Sequence, residues 1–366
     1  MSHIRTAKTW APYMAWAKHH PPCDLDLCGS NLLHCTLDEI PGLAESLELS
    51  ARNDEGYPPL VEAIAQRFGV GTECVATATG AAGACFLTLG ALIRPGDKVL
   101  AEWPGYDPHI GAARLLGAEV EILPRPAEEG FKLDPDILAQ KLNTGIKAVI
   151  LTNLHNPSGT YTPPSTLMQI ADIAAAVGTK VIVDEVYLEA AFGQDTEPAA
   201  GRHEAFISVS SLTKAFGLAG LRIGWALADR DTVRRIRRVR DVVDGVGAVP
   251  AEHMGALAFG HIDALLERAR SILAPNSLML REFVESREEL EWVPPPLGSP
   301  IGFPRLVGRE DAEPFVELAL REFDVGVVPG SLFGEPSHFR IAVSGETQVV
   351  GQGLEALGKA LDRTRS

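Results

Sequence analysis

The sequence lacks the features that mark several large classes of protein. It has 366 residues and a formal net charge of -15, which argues against a nucleic-acid-binding protein because such proteins usually present a basic face. It has no run of about 18 apolar residues, so no membrane span is expected. Its first residues lack an apolar segment followed by a small-residue cleavage site, so we expect a cytoplasmic protein rather than a secreted one.

The few cysteines do not form a metal-binding or disulfide pattern. They are odd in number, irregularly placed and without paired C-x-x-C spacing. Such a set favours free thiols in a reducing compartment and no metal site. The five are Cys23, Cys28, Cys35, Cys74 and Cys85.

Short apolar runs that alternate with helical patterns predict an α/β fold. Helical patterns occupy residues 81–93 and 164–178, and six strand-like runs lie at 98–102, 118–123, 147–152, 180–186, 205–210 and 221–228. Near-continuous apolar strands separated by helices imply a mostly parallel sheet that is covered on both faces. We therefore expect a central sheet flanked by helices.

The chain length suits about two domains. Residues 231–246 read as a long basic-faced helix, and the proline-rich residues 291–304 as a linker or turn into a final α+β unit. We expect a large α/β domain at 45–255, and a smaller α+β domain formed by 1–44 together with 256–366.

Polar residues lie at four strand ends: three follow strands given above, and one set precedes the helical pattern at 81–93. Ligands of open parallel sheets bind outside the carboxyl ends of the strands, so these residues predict a site. They are Thr79 and Gly80; Asn153 and Asn156; Asp184, Glu185 and Tyr187; and Ser211, Thr213 and Lys214.

The chemistry of these residues suits a phosphorylated aldehyde. Bare N–H groups at a helix start favour a phosphate, and hydroxyl and guanidinium groups add donors to it. These donors are Gly80, Ala81, Ala82, Ser211, Thr213 and Arg222. The loop lacks the motifs of nucleotide and dinucleotide sites. Lys214 beside such an anion site therefore indicates a lysine that forms a Schiff base with the aldehyde.

Five motifs, in order, resemble those of the class I/II aminotransferases, which are pyridoxal-phosphate enzymes of the aspartate aminotransferase fold (fold type I). The similarity covers about residues 55 to 345. The motifs are P-G-Y (104–106), N-P-S-G (156–159), Asp184 with Tyr187, S-L-T-K-A-F-G-L-A-G-L-R (211–222) and V-G-V-V-P-G-S-L-F-G-E-P-S-H-F-R (325–340).

The resemblance implies a role for each residue around the cofactor ring. Lys214 would hold pyridoxal 5′-phosphate as a Schiff base and move protons, and Asp184 would pair with the pyridine nitrogen. Asn156 and Tyr187 would bind the phenolic oxygen, and Tyr106 would stack on the ring.

The resemblance also implies how phosphate and substrate are held. The phosphate would be bound by Gly80, Ala81, Ala82, Ser211, Thr213 and Arg222. Arg340, with Asn156, would bind the substrate carboxylate as a fork.

Each of these residues taken alone also has an ordinary structural explanation. Asp184 is compatible with a strand-end cap and Asn156 with a turn. Tyr187 is compatible with a core position whose hydroxyl is satisfied, and Tyr106 with a loop cover. Arginines such as Arg222 and Arg340 commonly form structural ion pairs or lie exposed; the combination around Lys214 favours the cofactor interpretation.

Two stretches depart from the family pattern. The tyrosine that usually reaches the neighbouring subunit's phosphate is replaced near Ala51, where Ser50, Arg52 or Asn53 are the alternatives. The segment after the long helix holds Glu252 and His253 but no arginine, so a dedicated aspartate or glutamate donor is disfavoured. Glu252 either favours a cationic or hydroxylated substrate side chain or is a carboxylate at a helix start.

The resemblance implies a homodimeric enzyme that transfers an amino group between an L-amino acid and a 2-oxo acid. A lyase, decarboxylase or amino-acid cyclase on the same scaffold stays open, because the bond that breaks depends on its angle to the ring. A non-catalytic regulator is disfavoured by the intact Lys214 and by the lack of a DNA-binding extension.

Overall fold

A seven-stranded sheet forms the centre of the molecule in the computed structural model, which describes residues 11–42 and 46–364. The strand order across the sheet is β2-β8-β7-β6-β5-β3-β4. Its strands are β2 (Val75–Thr79), β3 (Lys98–Trp103), β4 (Glu119–Pro124), β5 (Ile146–Thr152), β6 (Lys180–Asp184), β7 (Phe206–Ser211) and β8 (Ile223–Leu227).

The sheet is mostly parallel, as predicted. Strands β4, β3, β5, β6 and β7 pair in parallel, whereas β8 runs antiparallel to both β7 and β2. All six predicted strand-like runs coincide with strands. The carboxyl ends of β2, β5, β6 and β7 consequently lie at one edge of the sheet.

Both faces of the sheet are buried, which explains the near-continuous apolar strands. Because side chains alternate along a strand, Ile150 and Ile182 join one hydrophobic cluster while Val149 and Val181 join another. Seven helices belong to the same part of the chain as this sheet. In chain order they are α2 (Pro58–Phe68), α3 (Gly80–Leu92), α4 (Asp107–Leu115), α5 (Pro135–Lys141), α6 (Pro164–Ala176), α7 (Arg230–Val243) and α8 (Val249–Gly260).

Smaller sheets and the remaining helices come from the two ends of the chain. Strands β10, β14 and β13 form a three-stranded sheet, and β1 pairs with β12 and β9 with β11. The strands are β1 (Leu25–Asp26), β9 (Leu290–Glu291), β10 (Ile301–Gly302), β11 (Arg305–Leu306), β12 (Val325–Gly326), β13 (Val328–Pro329) and β14 (Phe339–Ala342). The helices are α1 (Pro12–His19), α9 (Ile262–Glu285), α10 (Glu313–Phe323) and α11 (Thr347–Thr364).

The pairing of β1 with β12 brings the amino-terminal segment against the carboxyl-terminal third of the chain. The boundaries at 45 and 255 stay a prediction, and residues 1–10 and 43–45 of that division lie outside the described residues. No helix within 11–42 or 46–364 is both long enough and apolar enough to cross a membrane.

Candidate active site

Lys214 lies in the loop after β7, and its amine contacts Ser30, a residue near the amino terminus. Nζ donates a hydrogen bond to Ser30 Oγ at 3.1 Å, and the same oxygen lies 2.7 Å from the hydroxyl of Tyr187. The pKa of Lys214 is lowered to about 7, first by burial and then by the positive charge of Arg340; the negative charge of Asp184 opposes this shift and the positive charge of Arg222 adds to it. The amine is therefore largely uncharged just above neutral pH.

Asp184 is buried at the carboxyl end of β6, beside a histidine. Its Oδ2 lies 3.1 Å from His109 Nε2, and its Oδ1 accepts a hydrogen bond from the backbone N–H of Val186. The ring of His109 meets the ring of Tyr106 edge-on at 5.1 Å. Both rings lie at the start of α4, so one helix turn brings the aromatic group and the histidine to the carboxylate.

The start of α3 forms a small cradle under the Arg222 guanidinium. Gly80 has a φ of +69°, and a Cβ at this position would collide with Arg222. The backbone N–H of Gly80 donates to the carbonyl of Arg222 at 2.8 Å, and the N-cap residue Thr79 makes no side-chain hydrogen bond to the helix. The N–H groups of Ala81 and Ala82 in this first turn thus face no competing side-chain cap, and the helix dipole favours an anion here.

Hydroxyl groups line the same cradle. Arg222 Nη1 lies 3.5 Å from Thr213 Oγ1, and the backbone N–H of Thr213 donates to Ser211 Oγ at 3.3 Å. Arg222 itself has a φ of +54°. Its carbonyl oxygen accepts the hydrogen bond from the backbone N–H of Gly80, so the two residues are held together.

Arg340 is fully buried on β14, which excludes the exposed position that its residue type alone would allow. Nη1 donates to Asn156 Oδ1 at 2.9 Å, and Nη2 donates to the Tyr13 hydroxyl at 2.7 Å and to the carbonyl of Cys28 at 3.0 Å. Its guanidinium carbon lies 5.2 Å from the centre of the Phe333 ring. A buried cation among aromatic rings suits recognition of a carboxylate.

A series of hydrogen bonds between buried polar groups fixes the position of Asn156. Its backbone N–H donates to Thr152 Oγ1 at 3.2 Å, and Thr152 Oγ1 donates to Glu102 Oε1 at 2.5 Å. Glu102 in turn accepts from Arg125 Nη1 at 2.7 Å. These consecutive hydrogen bonds fix the backbone of Asn156 relative to the sheet.

The sequence interpretation did not include three residues of this site: Tyr13, Ser30 and His109. His109 carries a usable signal, because it follows Tyr106 by three residues on a helix and so shares its face. Tyr13 and Ser30 carry none, since their contacts are with residues far along the chain.

Glu252 and His253 contact the protein itself rather than the cleft around Lys214. Glu252 is buried in the first turn of α8 and accepts from Arg240 Nη2 at 3.2 Å and from the backbone N–H of Tyr57 at 3.0 Å. These contacts favour the alternative of a helix-start carboxylate over a selector of a cationic or hydroxylated substrate side chain, and the role of Glu252 stays a prediction. His253 Nδ1 lies 3.1 Å from the Tyr57 hydroxyl.

The segment near Ala51 has a mixed environment. Ala51 is half-buried, and Arg52 is exposed and paired with Asp54. Asn53 is buried and its Nδ2 donates to the carbonyl of Gly247 at 2.8 Å. Asn53 is therefore engaged within its own chain.

Comparison with known proteins finds similarity along nearly the whole chain. The family model for class I and II aminotransferases matches residues 38–357. Capreomycidine synthase of Streptomyces vinaceus is 29% identical over 96% of this chain and 93% of that protein. A PLP-dependent aminotransferase from Streptococcus suis is 28% identical with a TM-score of 0.90, over 96% of this chain and 97% of that one. The PLP-dependent cyclase OrfR is 27% identical with a TM-score of 0.86, over 97% of each chain.

Proposed function

Because this chain belongs to the class I and II aminotransferase family, we propose that it transfers an amino group between an L-amino acid and a 2-oxo acid, with Lys214 as the lysine that holds the cofactor. It is an enzyme of fold type I, and its cofactor is pyridoxal 5′-phosphate. The observation that carries the proposal is the Lys214 amine, whose pKa is lowered to about 7 at the edge where the four strand ends meet.

The residues present fit this cofactor at its phosphate end. A Cβ on Gly80 would collide with the Arg222 guanidinium, so any larger residue would displace that guanidinium from the cradle. Backbone N–H groups, hydroxyls and one guanidinium make a donor set suited to a phosphate. We assign the phosphate to Gly80, Ala81, Ala82, Ser211, Thr213 and Arg222.

The residues also fit the ring end. When bound, the cofactor supplies an electrophilic aldehyde carbon and a ring that withdraws electrons from the substrate Cα. Asp184, held by His109, would keep a proton on the ring nitrogen through its negative charge. Tyr106 would lie against the ring, and the Tyr187 hydroxyl would donate to the ring oxygen.

Lys214 would perform the proton transfers. Its Nζ, uncharged above about pH 7, would take the proton from the substrate Cα and would deliver it to the aldehyde carbon of the cofactor. Ser30 Oγ, 3.1 Å from Nζ, keeps the amine close to the Tyr187 hydroxyl. An amine with this pKa is both a competent nucleophile and a competent base near neutral pH.

Arg340 and Asn156 would position the substrate by its α-carboxylate. The guanidinium provides a fork, and the amide of Asn156 is fixed by the chain through Thr152 and Glu102. The segment 244–258 contains no arginine for a second carboxylate. We therefore propose an amino donor other than aspartate or glutamate.

Amino-acid cyclisation is a second candidate, and a specific observation favours it. Capreomycidine synthase and the cyclase OrfR both match this chain over nearly its full length. The residues assigned above would serve either reaction, because both begin by loosening a bond at the substrate Cα.

A half-reaction separates the two candidates. The cofactor-loaded protein is mixed with single L-amino acids and no 2-oxo acid. Transamination yields about one equivalent of 2-oxo acid per subunit and then stops. Continued turnover, either to a cyclic amino acid or with steady release of ammonia, would contradict the amino-transfer proposal. Arg340→Lys should raise KM much more than it lowers kcat.

We further propose that the enzyme is a cytoplasmic homodimer. Five large apolar side chains are exposed on two segments that the hydrogen bond from Asn53 to the carbonyl of Gly247 links: Leu47, Leu49, Val242, Val243 and Val246. Exposed large apolar side chains favour a protein partner, here a second copy of the chain. The five cysteines are free, which suits a reducing compartment.

A further inference from the structure

A cavity outside the site around Lys214 lies between three segments of the chain. Its volume is 490 Å³, which is within the range of small-molecule binding sites. Its walls come from residues 127–131, 291–305 and 335–338. None of its lining residues is among those assigned above to the cofactor or to the substrate.

Aromatic rings form one wall of this cavity. The Phe303 ring stacks on the His338 ring at 4.8 Å, and the Phe131 ring meets the same imidazole edge-on at 5.6 Å. These three side chains are buried, and the indole of Trp292 adds to the lining. Because the faces of aromatic rings carry partial negative charge, such a wall suits an apolar or a cationic group and disfavours an anion.

Three carboxylates and one guanidinium line the same space. Arg305 pairs with Glu291, which leaves Glu128 and Glu335 without an arginine or lysine partner among the described residues. The pKa of Glu335 is raised, first by burial and then by the negative charge of Glu128. Two carboxylates that repel each other beside a cavity attract a cation into it.

The imidazole of His338 does not neutralise Glu335, although its Nδ1 lies 3.8 Å from Glu335 Oε2. Burial, and then the positive charge of Arg305, lowers the pKa of His338 to about 4, so the ring is uncharged at neutral pH. Nδ1 also lies 3.2 Å from Ser337 Oγ, and the nearby carboxylate favours the tautomer with its proton on Nδ1. Nε2 is then a hydrogen-bond acceptor to which no described residue donates.

We propose that this cavity is a binding site for an organic cation, namely an ammonium group that keeps at least one N–H and carries a short apolar chain. The ammonium charge lies beside Glu335 and Glu128, and its N–H donates to His338 Nε2. The apolar chain packs against the rings of Phe131 and Phe303. The site does not depend on the reaction proposed above, because it shares no residue with the site around Lys214.

N,N-Dimethylbutylamine is the probe for this site. A tertiary amine is charged at neutral pH and forms no Schiff base, so it does not react with the aldehyde of the cofactor. Calorimetric titration of the cofactor-loaded protein should show saturable binding of one amine per subunit. Butanol has the same chain without the charge and should show no saturable binding. A parent protein that does not bind the amine, or that binds butanol equally well, would overturn the proposal.

The carboxylates locate the bound amine. Glu335→Gln removes a charge and keeps the size of the side chain, so it should weaken amine binding by about tenfold or more, which is the usual effect of losing a partner of a charged group. Glu129→Gln is the matched control, because Glu129 lies in the same turn as Glu128 but does not line the cavity. This control should bind the amine like the parent. Equal affinities of the two variants would place the amine elsewhere and overturn the site.

The acceptor role of His338 has a test of its own. His338→Phe keeps an aromatic ring and removes Nε2, so it should weaken the binding of N,N-dimethylbutylamine by several-fold. Butyltrimethylammonium has the same charge but no N–H, and its affinity should change much less. Because both ligands are measured on the same variant, a general loss of structure would weaken both equally. Equal weakening would overturn the assignment of Nε2 as the acceptor.

Discussion

In the cofactor-free protein, the amine of Lys214 should lose its proton, and with it its positive charge, as the pH rises through neutrality. The pKa of its amine is lowered from 10.5 to about 7, first by burial and then by the charge of Arg340. At pH 8 about nine-tenths of such an amine is uncharged, whereas an ordinary lysine has less than about 1% in that form. Only the uncharged amine attacks an aldehyde or an acylating reagent, so reactivity reports the pKa directly.

Competitive acetylation from pH 5 to pH 9, read peptide by peptide in a mass spectrometer, measures this titration. Labelling of Lys214 should rise with a midpoint near pH 7 and level off above pH 8. Lys98 is an internal control, because pairing with Glu121 raises its pKa above the ordinary value and its labelling still climbs at pH 9. Arg340→Gln should move the Lys214 midpoint up, and Asp184→Asn should move it down. The reasoning is refuted if Lys214 and Lys98 rise in parallel.

Three further changes test the phosphate cradle, the core and the dimer. Gly80→Ala should weaken the binding of pyridoxal 5′-phosphate in equilibrium dialysis by at least about tenfold. Gly69→Ala is the control, because Gly69 has a similar φ but open space around its Cβ position, and it should leave binding unchanged. Equal losses of affinity in the two variants would contradict the assignment of the cradle. Glu252→Ala should lower the free energy of unfolding, measured in urea, by about 3–5 kcal/mol, because it leaves the buried charge of Arg240 unpaired. A loss below about 1 kcal/mol would show that the pair contributes no more than an exposed one. Val242→Lys should yield a monomer in light scattering, and an unchanged dimer mass would place the interface elsewhere.

Local patterns of apolar and polar residues in the sequence predict most of the fold. Apolar runs such as residues 147–152 and 180–186 are readable because a buried parallel strand needs continuous apolar residues. The helix at 231–246 was likewise predicted, and α7 spans Arg230–Val243. Polar residues such as Asp184 and Lys214 are recognisable as site candidates because they lie at the ends of these apolar runs, at one edge of the sheet.

The contacts that complete the site come from packing between distant segments, which local patterns do not encode. Tyr13 and Arg340 are 327 residues apart, and Ser30 and Lys214 are 184 apart. Arg340 was expected either at the surface or at a carboxylate, and only its burial on β14 separates those positions. For Glu252 the deciding contact, with Arg240, likewise depends on how two helices pack.

Covalent attachment of the cofactor to Lys214 is the central claim, and reduction tests it most directly. Sodium borohydride added to the cofactor-loaded protein fixes the pyridoxyl group on the lysine that holds it, and peptide mass spectrometry locates it. The account predicts one phosphopyridoxyl group per subunit, on Lys214, and none in Lys214→Ala. A stable label on another lysine, or an unlabelled Lys214 in protein that retains the cofactor, would contradict it.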